Sequence, residues 1–196
     1  MPAGSGGHRL PPGGEVQEGQ RPSWPRLGFL LLALCAPVAA SAQEAFITQL
    51  DAALRPLPSL SPDDARAACA QMVEATFDMP ALAQAVAVEG VATADVGAAL
   101  RERFVANCVR NRREERLVFL GLRGESVVSR LDRPDGTERV MVWRLQPGGP
   151  WGWRAVDVSV EGVGQAARLR DELRGRLAAT GDPDAALAGF ARRGAP

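Results

Sequence analysis

Apolar residues at Phe46, Ile47, Leu50 and Leu54 recur at helical spacing, which predicts an amphipathic helix from Glu44 to Leu54 closed by Pro56 and Pro58. A second helix is expected at Ser61, where Pro62, Asp63 and Asp64 follow. They supply a capping serine, a first-turn proline and negative charge at the positive end of the dipole. Its apolar stripe is Ala65, Ala68, Cys69, Met72, Val73 and Phe77. A short helix follows from Pro80 to about Val88. A longer one is capped by Thr93, with Val96, Leu100, Phe104 and Cys108 on one face and several arginines on the other.

After Arg116 the period changes to two. Leu117 to Arg123, Ser126 to Asp132 and Glu138 to Leu145 are predicted strands, with Arg133-Pro134-Asp135-Gly136 turning the second into the third. Pro147 to Pro150 makes another turn. The fourth strand, Arg154 to Glu161, alternates: Val156, Val158 and Val160 face one way, and Ala155, Asp157, Ser159 and Glu161 the other. Val163, Ala166, Ala167, Leu169, Leu173 and Leu177 then form the stripe of a helix ending near Gly181, and Asp182-Pro183 opens a final short helix with Leu187 and Phe190. Four strands joined by tight turns, with helices before and after, predict one α+β domain whose sheet is covered by helices.

Upstream of this domain, residues 1–26 are rich in Gly and Pro and show no hydrophobic period. Arg26 precedes an apolar run, Leu27 to Ala36, which ends in Ala40-Ser41-Ala42. A basic start, a short apolar core and a small-x-small site in that order predict an export signal cleaved after Ala42. The run is shorter than the ~20 residues of a transmembrane helix. Leu32-Ala33-Leu34-Cys35 resembles a lipoprotein box, but bulky Leu34 stands where a small residue is wanted, which favours cleavage after Ala42. The expected division is 1–42 removed and 43–196 retained, in the periplasm.

Composition then narrows the chemistry. All 23 basic residues are arginine, balanced by 23 acidic ones, which argues against a nucleic-acid partner bound by a general positive field. The only histidine is His8 and there is no tyrosine, so residues 43–196 contain no His, Lys or Tyr. Acid–base catalysis would fall to carboxylates such as Asp78, Asp157 or Glu161, and a metal site would need an unusual ligand set. No enzyme, no metal and no cofactor are expected. Cys69 and Cys108 remain after cleavage; in an oxidising compartment they form one disulfide if their helices touch, and act as two buried thiols otherwise.

Two stretches carry a resemblance. Phe77-Asp78-Met79-Pro80-Ala81-Leu82-Ala83 is similar to the "FDxxxLA" element of the MlaC / toluene-tolerance auxiliary family of periplasmic phospholipid-binding proteins. Trp153 to Val163 resembles that family's "W-x-x-x-D-V-x-x-E-G-V" corner between strand and helix, and Arg170 stands where the family's "N-Y-R" arginine does. The likeness spans most of 43–190, with Gly164, Val156 and the Arg168-Leu169 pair departing from the family pattern. It implies a curved antiparallel four-stranded sheet wrapped by helices, a nuclear-transport-factor-like cone around an apolar cavity. It also implies a carrier whose cargo is a phospholipid. The implied partners are an inner-membrane ABC transporter complex with its substrate-binding membrane subunit, and an outer-membrane lipoprotein complex.

Such a carrier needs apolar walls and a polar rim. The candidate cavity residues are Phe77, Leu82, Val86, Leu100, Phe104, Leu120, Val142, Val156, Val158 and Val160; the plainer alternative is that they are simply core. Trp143, Trp151 and Trp153 suit a cavity mouth or sheet packing. Arg101, Arg103, Arg110, Arg112, Arg113 and Arg116 could meet lipid headgroups, or form a solvated face balanced by Glu102, Glu114 and Glu115. Asp157 and Arg170 either pair across the corner or stand apart, and Gly162 is expected at a sharp turn. A hopanoid or other lipid as cargo, a non-lipid adaptor and a carboxylate enzyme are the competing readings.

Overall fold

The computed structural model describes residues 32–192, with side chains from residue 42 onward. The leader residues expected before Leu32 and the last four residues lie outside them. Helix α1 (Leu32–Leu54) starts well before the expected Glu44 and continues through Pro37. Proline removes one backbone bond there, and the alanine-rich neighbourhood sustains the helix across it. The expected cleavage point after Ala42 falls inside α1. No described helix is long and apolar enough to cross a membrane.

A 3-10 turn (Leu57–Ser59) leads to α2 (Pro62–Thr76), α3 (Met79–Val86) and α4 (Thr93–Arg110). Ser61 caps α2 by accepting from the Asp64 amide, and Asp78 caps α3 by accepting from the Ala81 amide. At α4 the expected cap is corrected: Ala92 is the N-cap, Thr93 is already helical, and no side chain caps this end. Strands β1 (Arg116–Arg123), β2 (Ser126–Asp132), β3 (Glu138–Pro147), β4 (Trp153–Val160) and β5 (Val163–Gly164) form one antiparallel meander in chain order. Helices α5 (Gln165–Thr180) and α6 (Pro183–Arg192) complete the chain. The class is α+β, with a two-residue fifth strand added to the four expected.

That fifth strand corrects the placement of Val163, which is exposed on β5 rather than on the α5 stripe. Glu161 and Gly162 form the two-residue turn before it, both at positive φ (52° and 79°). Glycine takes that conformation without penalty, as expected of Gly162. The alternation on β4 is also corrected. Arg144 pairs with Asp157 but Leu145 pairs with Ala155, so Val156 is an unmatched bulge residue. The bulge reverses the parity, and Ala155 is fully buried instead of facing outward.

Two cores result. The helical core gathers Cys69, Val73, Leu82, Val86, Leu100 and Leu173 with their neighbours from α2 to α6. The sheet core joins Phe46, Ile47 and Leu50 of α1 to Leu117, Val127, Trp143 and Ala155. Cys69 and Cys108 are bonded, with Cα atoms 5.8 Å apart, because α2 and α4 pack side by side.

Candidate functional site

An apolar cavity of about 200 Å³ lies between α1, α2 and the inner face of the sheet. Leu50 and Leu54 of α1 form one wall and Met72, Val73 and Thr76 of α2 another. Leu117, Leu131, Met141 and Trp143 of the sheet close it, Phe77 stands between the two cores, and Glu115 lies at its edge. Trp143 is fixed by its indole N–H, which donates to Ser129 Oγ at 2.8 Å, both residues being buried. Phe77 is fixed from both sides: its ring is 5.0 Å from that of Phe104, and the next amide, Asp78 N–H, donates to Ala155 O at 2.9 Å. The Thr76 hydroxyl is buried in this wall and makes no hydrogen bond among the described residues.

Beside the cavity runs a charged cleft of about 470 Å³ lined by Arg55, Glu114, Glu115, Arg116, Asp132 and Arg133. Glu115 belongs to both. The chain passes from one to the other within a single residue at three points: Leu54 to Arg55, Leu117 to Arg116, and Leu131 to Asp132. Asp51 organises this junction. It accepts from the Leu117 amide at 2.8 Å and pairs with both Arg55 and Arg116. Burial pushes the Asp51 carboxyl up, but the Leu117 hydrogen bond and the two guanidinium groups outweigh it and hold the acid below its ordinary range. Across the cleft, Arg133 Nε donates to Glu115 at 2.8 Å.

Of the ten cavity residues expected from sequence, only Phe77 lines this cavity. Leu82, Val86 and Leu100 are buried in the helical core, with Phe104 half-buried against it. Leu120 is corrected outright: it is 51 % exposed on β1, at a bulge between Phe119 and Gly121. Val142 follows Met141 and precedes Trp143, so strand alternation puts it on the opposite face of the sheet. Val156 occupies the β4 bulge; Val158 lies opposite Trp143 and Val160 opposite Met141, both half-buried. Trp143, offered for a cavity mouth, also lines it; the residues missed were Leu50, Leu54, Met72, Val73, Thr76, Glu115, Leu117, Leu131 and Met141. The apolar ones read as ordinary core in the sequence, and only the way α1 and α2 face the sheet sets them around a cavity.

The arginine run is mostly structural. Arg103 is buried, pairs with Glu172 at 2.9 Å, donates to Phe190 O and lies 4.7 Å over the Phe190 ring. Arg112 donates to Leu60 O, Arg101 pairs with Glu74 and Arg110 with Asn107. Only Arg116 of this run reaches the cleft. Asp157 and Arg170 do not pair: Asp157 accepts from the Ala166 amide and so caps α5, while Arg170 donates to Ala85 O at 2.7 Å and ties α5 to α3. The three carboxylates weighed as bases all bind backbone amides, Asp78 that of Ala81, Asp157 that of Ala166 and Glu161 that of Val140. Among the described residues no group of His, Cys, Asp and Glu is placed to hold a metal ion.

No family model matches the chain, and no curated protein does. Among solved structures, the fold is similar to that of a phospholipid-binding protein from Ralstonia solanacearum, determined in complex with a phospholipid. The TM-score is 0.56 at 12% sequence identity, over 79% of this chain and 93% of that one. At that identity the two chains share a fold.

Proposed function

We propose that this protein binds a lipid, with an acyl chain entering the cavity between α1, α2 and the sheet. The observation that carries the reading is that cavity: apolar walls between two separate cores, in a fold shared with a phospholipid-binding protein. Burial of a chain is favourable by about 0.8 kcal/mol per CH₂ and needs no catalytic group. At about 200 Å³ the cavity is smaller than the ~300–1,000 Å³ of ordinary ligand pockets, so the walls must part to admit a chain. The packing supports where they part: α1 rests chiefly on β1 and α2 chiefly on α4, which leaves the α1–α2 seam lightly held.

The leader and the disulfide support a periplasmic location. There, the protein would carry lipid between the outer membrane and an inner-membrane ABC transporter, as a binding protein without catalytic activity. The test is to export the full chain in a Gram-negative host, purify it without detergent, and record native mass spectra followed by lipid extraction. A stoichiometric phospholipid adduct is the expected result. A hopanoid would keep the site and change the cargo. An empty protein that also takes no lipid from vesicles would overturn the proposal.

A further inference from the structure

The cavity and the charged cleft share Glu115 and are lined by adjacent residues at three points, so they lie side by side and can serve together as one amphipathic trough. Its charges are not evenly matched. Arg55 and Arg116 share a single carboxylate, Asp51, which leaves one positive charge over at that side. Both guanidinium groups are more than half exposed and keep N–H donors not used by Asp51. Arg133 and Glu115 cancel, and Asp132 is held by Arg130. Glu114 is exposed in the same cleft and makes no ion pair among the described residues. One surplus cation and one unpaired carboxylate thus face the same space. In the cavity wall, the buried Thr76 hydroxyl has no partner among the described residues, which is costly unless a ligand supplies one.

From these three features we infer that the trough takes a lipid with a zwitterionic phosphodiester headgroup. The phosphate accepts from Arg55 and Arg116, since guanidinium donors match phosphate oxygens in geometry as well as charge. The headgroup ammonium meets Glu114. An ester oxygen at the head of the acyl chain accepts from Thr76 Oγ1. The inference rests on the lipid-binding reading and adds headgroup selection to it, at residues outside the apolar wall.

The test is a titration of delipidated full-length protein, followed by native mass spectrometry, with three short-chain probes: phosphatidylethanolamine, phosphatidylglycerol and diacylglycerol. Phosphatidylethanolamine should bind tightest and diacylglycerol weakest. Arg116→Gln should weaken both phospholipids about tenfold and leave diacylglycerol unchanged, because it removes charge-assisted bonds to phosphate alone. Glu114→Gln should weaken phosphatidylethanolamine about threefold and not phosphatidylglycerol, removing the preference. Thr76→Val keeps the shape and should weaken all three probes by a similar factor. Equal affinities for the three probes, or equal losses for all of them in Arg116→Gln, would overturn the headgroup site while leaving lipid binding intact. Failure of every probe to bind would instead overturn the lipid-binding reading itself.

Discussion

The helical core and the sheet core are built from the same kinds of residue and are held in different ways. On the helical side Val86, Leu100 and Leu173 are fully buried, the Cys69–Cys108 bond ties α2 to α4, and Arg103 joins α4 to α5 and α6 through Glu172 and the Phe190 carbonyl. On the sheet side the packing stops short. A cavity remains between α1 and α2, a hydroxyl is left without a partner, and two bulges interrupt the strands. Close packing is the default of protein interiors. The helical side also keeps a pocket between α3 and α4 and an Arg103 Nε without a partner among the described residues, so what separates the two sides is the disulfide and ion-pair cross-linking of the helical one. The cross-linked helical core is expected to hold while the sheet side, which carries no disulfide among the described residues, opens. Phe77, Leu54 and Met72 touch both cores, and all three line the cavity.

The largest expected effect tests the staple. Replacing both Cys69 and Cys108 by alanine frees a loop with a sequence separation of 39, for which chain-entropy estimates give about 4 kcal/mol. Denaturant unfolding should show that loss. Native tryptophan fluorescence should hardly change, because Trp143, Trp151 and Trp153 all pack in the sheet core. A large change in native fluorescence would mean that the two cores are not separable. A second, smaller contrast compares two leucines. Leu100→Ala removes a fully buried side chain from the helical core and should cost about 3 kcal/mol. Leu54→Ala trims a half-buried cavity wall, should cost about 1 kcal/mol, and should leave lipid uptake intact or faster. Equal costs at the two sites would remove the distinction.

Local patterns in the sequence were sufficient for most elements, because their signals are local. Ser61-Pro62 starts a helix and Arg133-Pro134-Asp135-Gly136 makes a turn whatever lies around them. The candidate site was much less legible, since it depends on which faces meet. Val156 and Leu120 alternate correctly on paper, but bulges set by the partner strands displace both. Arg103 did leave a signal: it lies seven residues after Val96, on the same stripe, where an arginine is solvated only if the stripe is not buried. Leu54, Met72 and Met141 left none. They read as ordinary core, and the space between them exists only because α1 leans on β1 while α2 leans on α4.

The smallest expected effect separates the cores by acid. Each contains one carboxylate held below its ordinary range. In the sheet core it is Asp51; in the helical core it is Glu172, where burial pushes the acid up but Arg103 and Arg176 outweigh it. A depressed folded-state pKa means that the unfolded chain binds the proton more readily. The stabilisation is therefore complete above the ordinary carboxylate range, about pH 4, and is lost as pH falls below it. Asp51→Asn and Glu172→Gln should each flatten the acid limb of a stability–pH curve while lowering stability at neutral pH. They should differ in what opens first. Asp51 of α1 holds the Leu117 amide of β1 and Arg55 just past the helix end, so losing its charge loosens α1 beside the cavity. Hydrogen exchange at mildly acidic pH should therefore rise in α1 and β1 before it rises in α4 and α5. The reverse order would place the weaker core on the helical side.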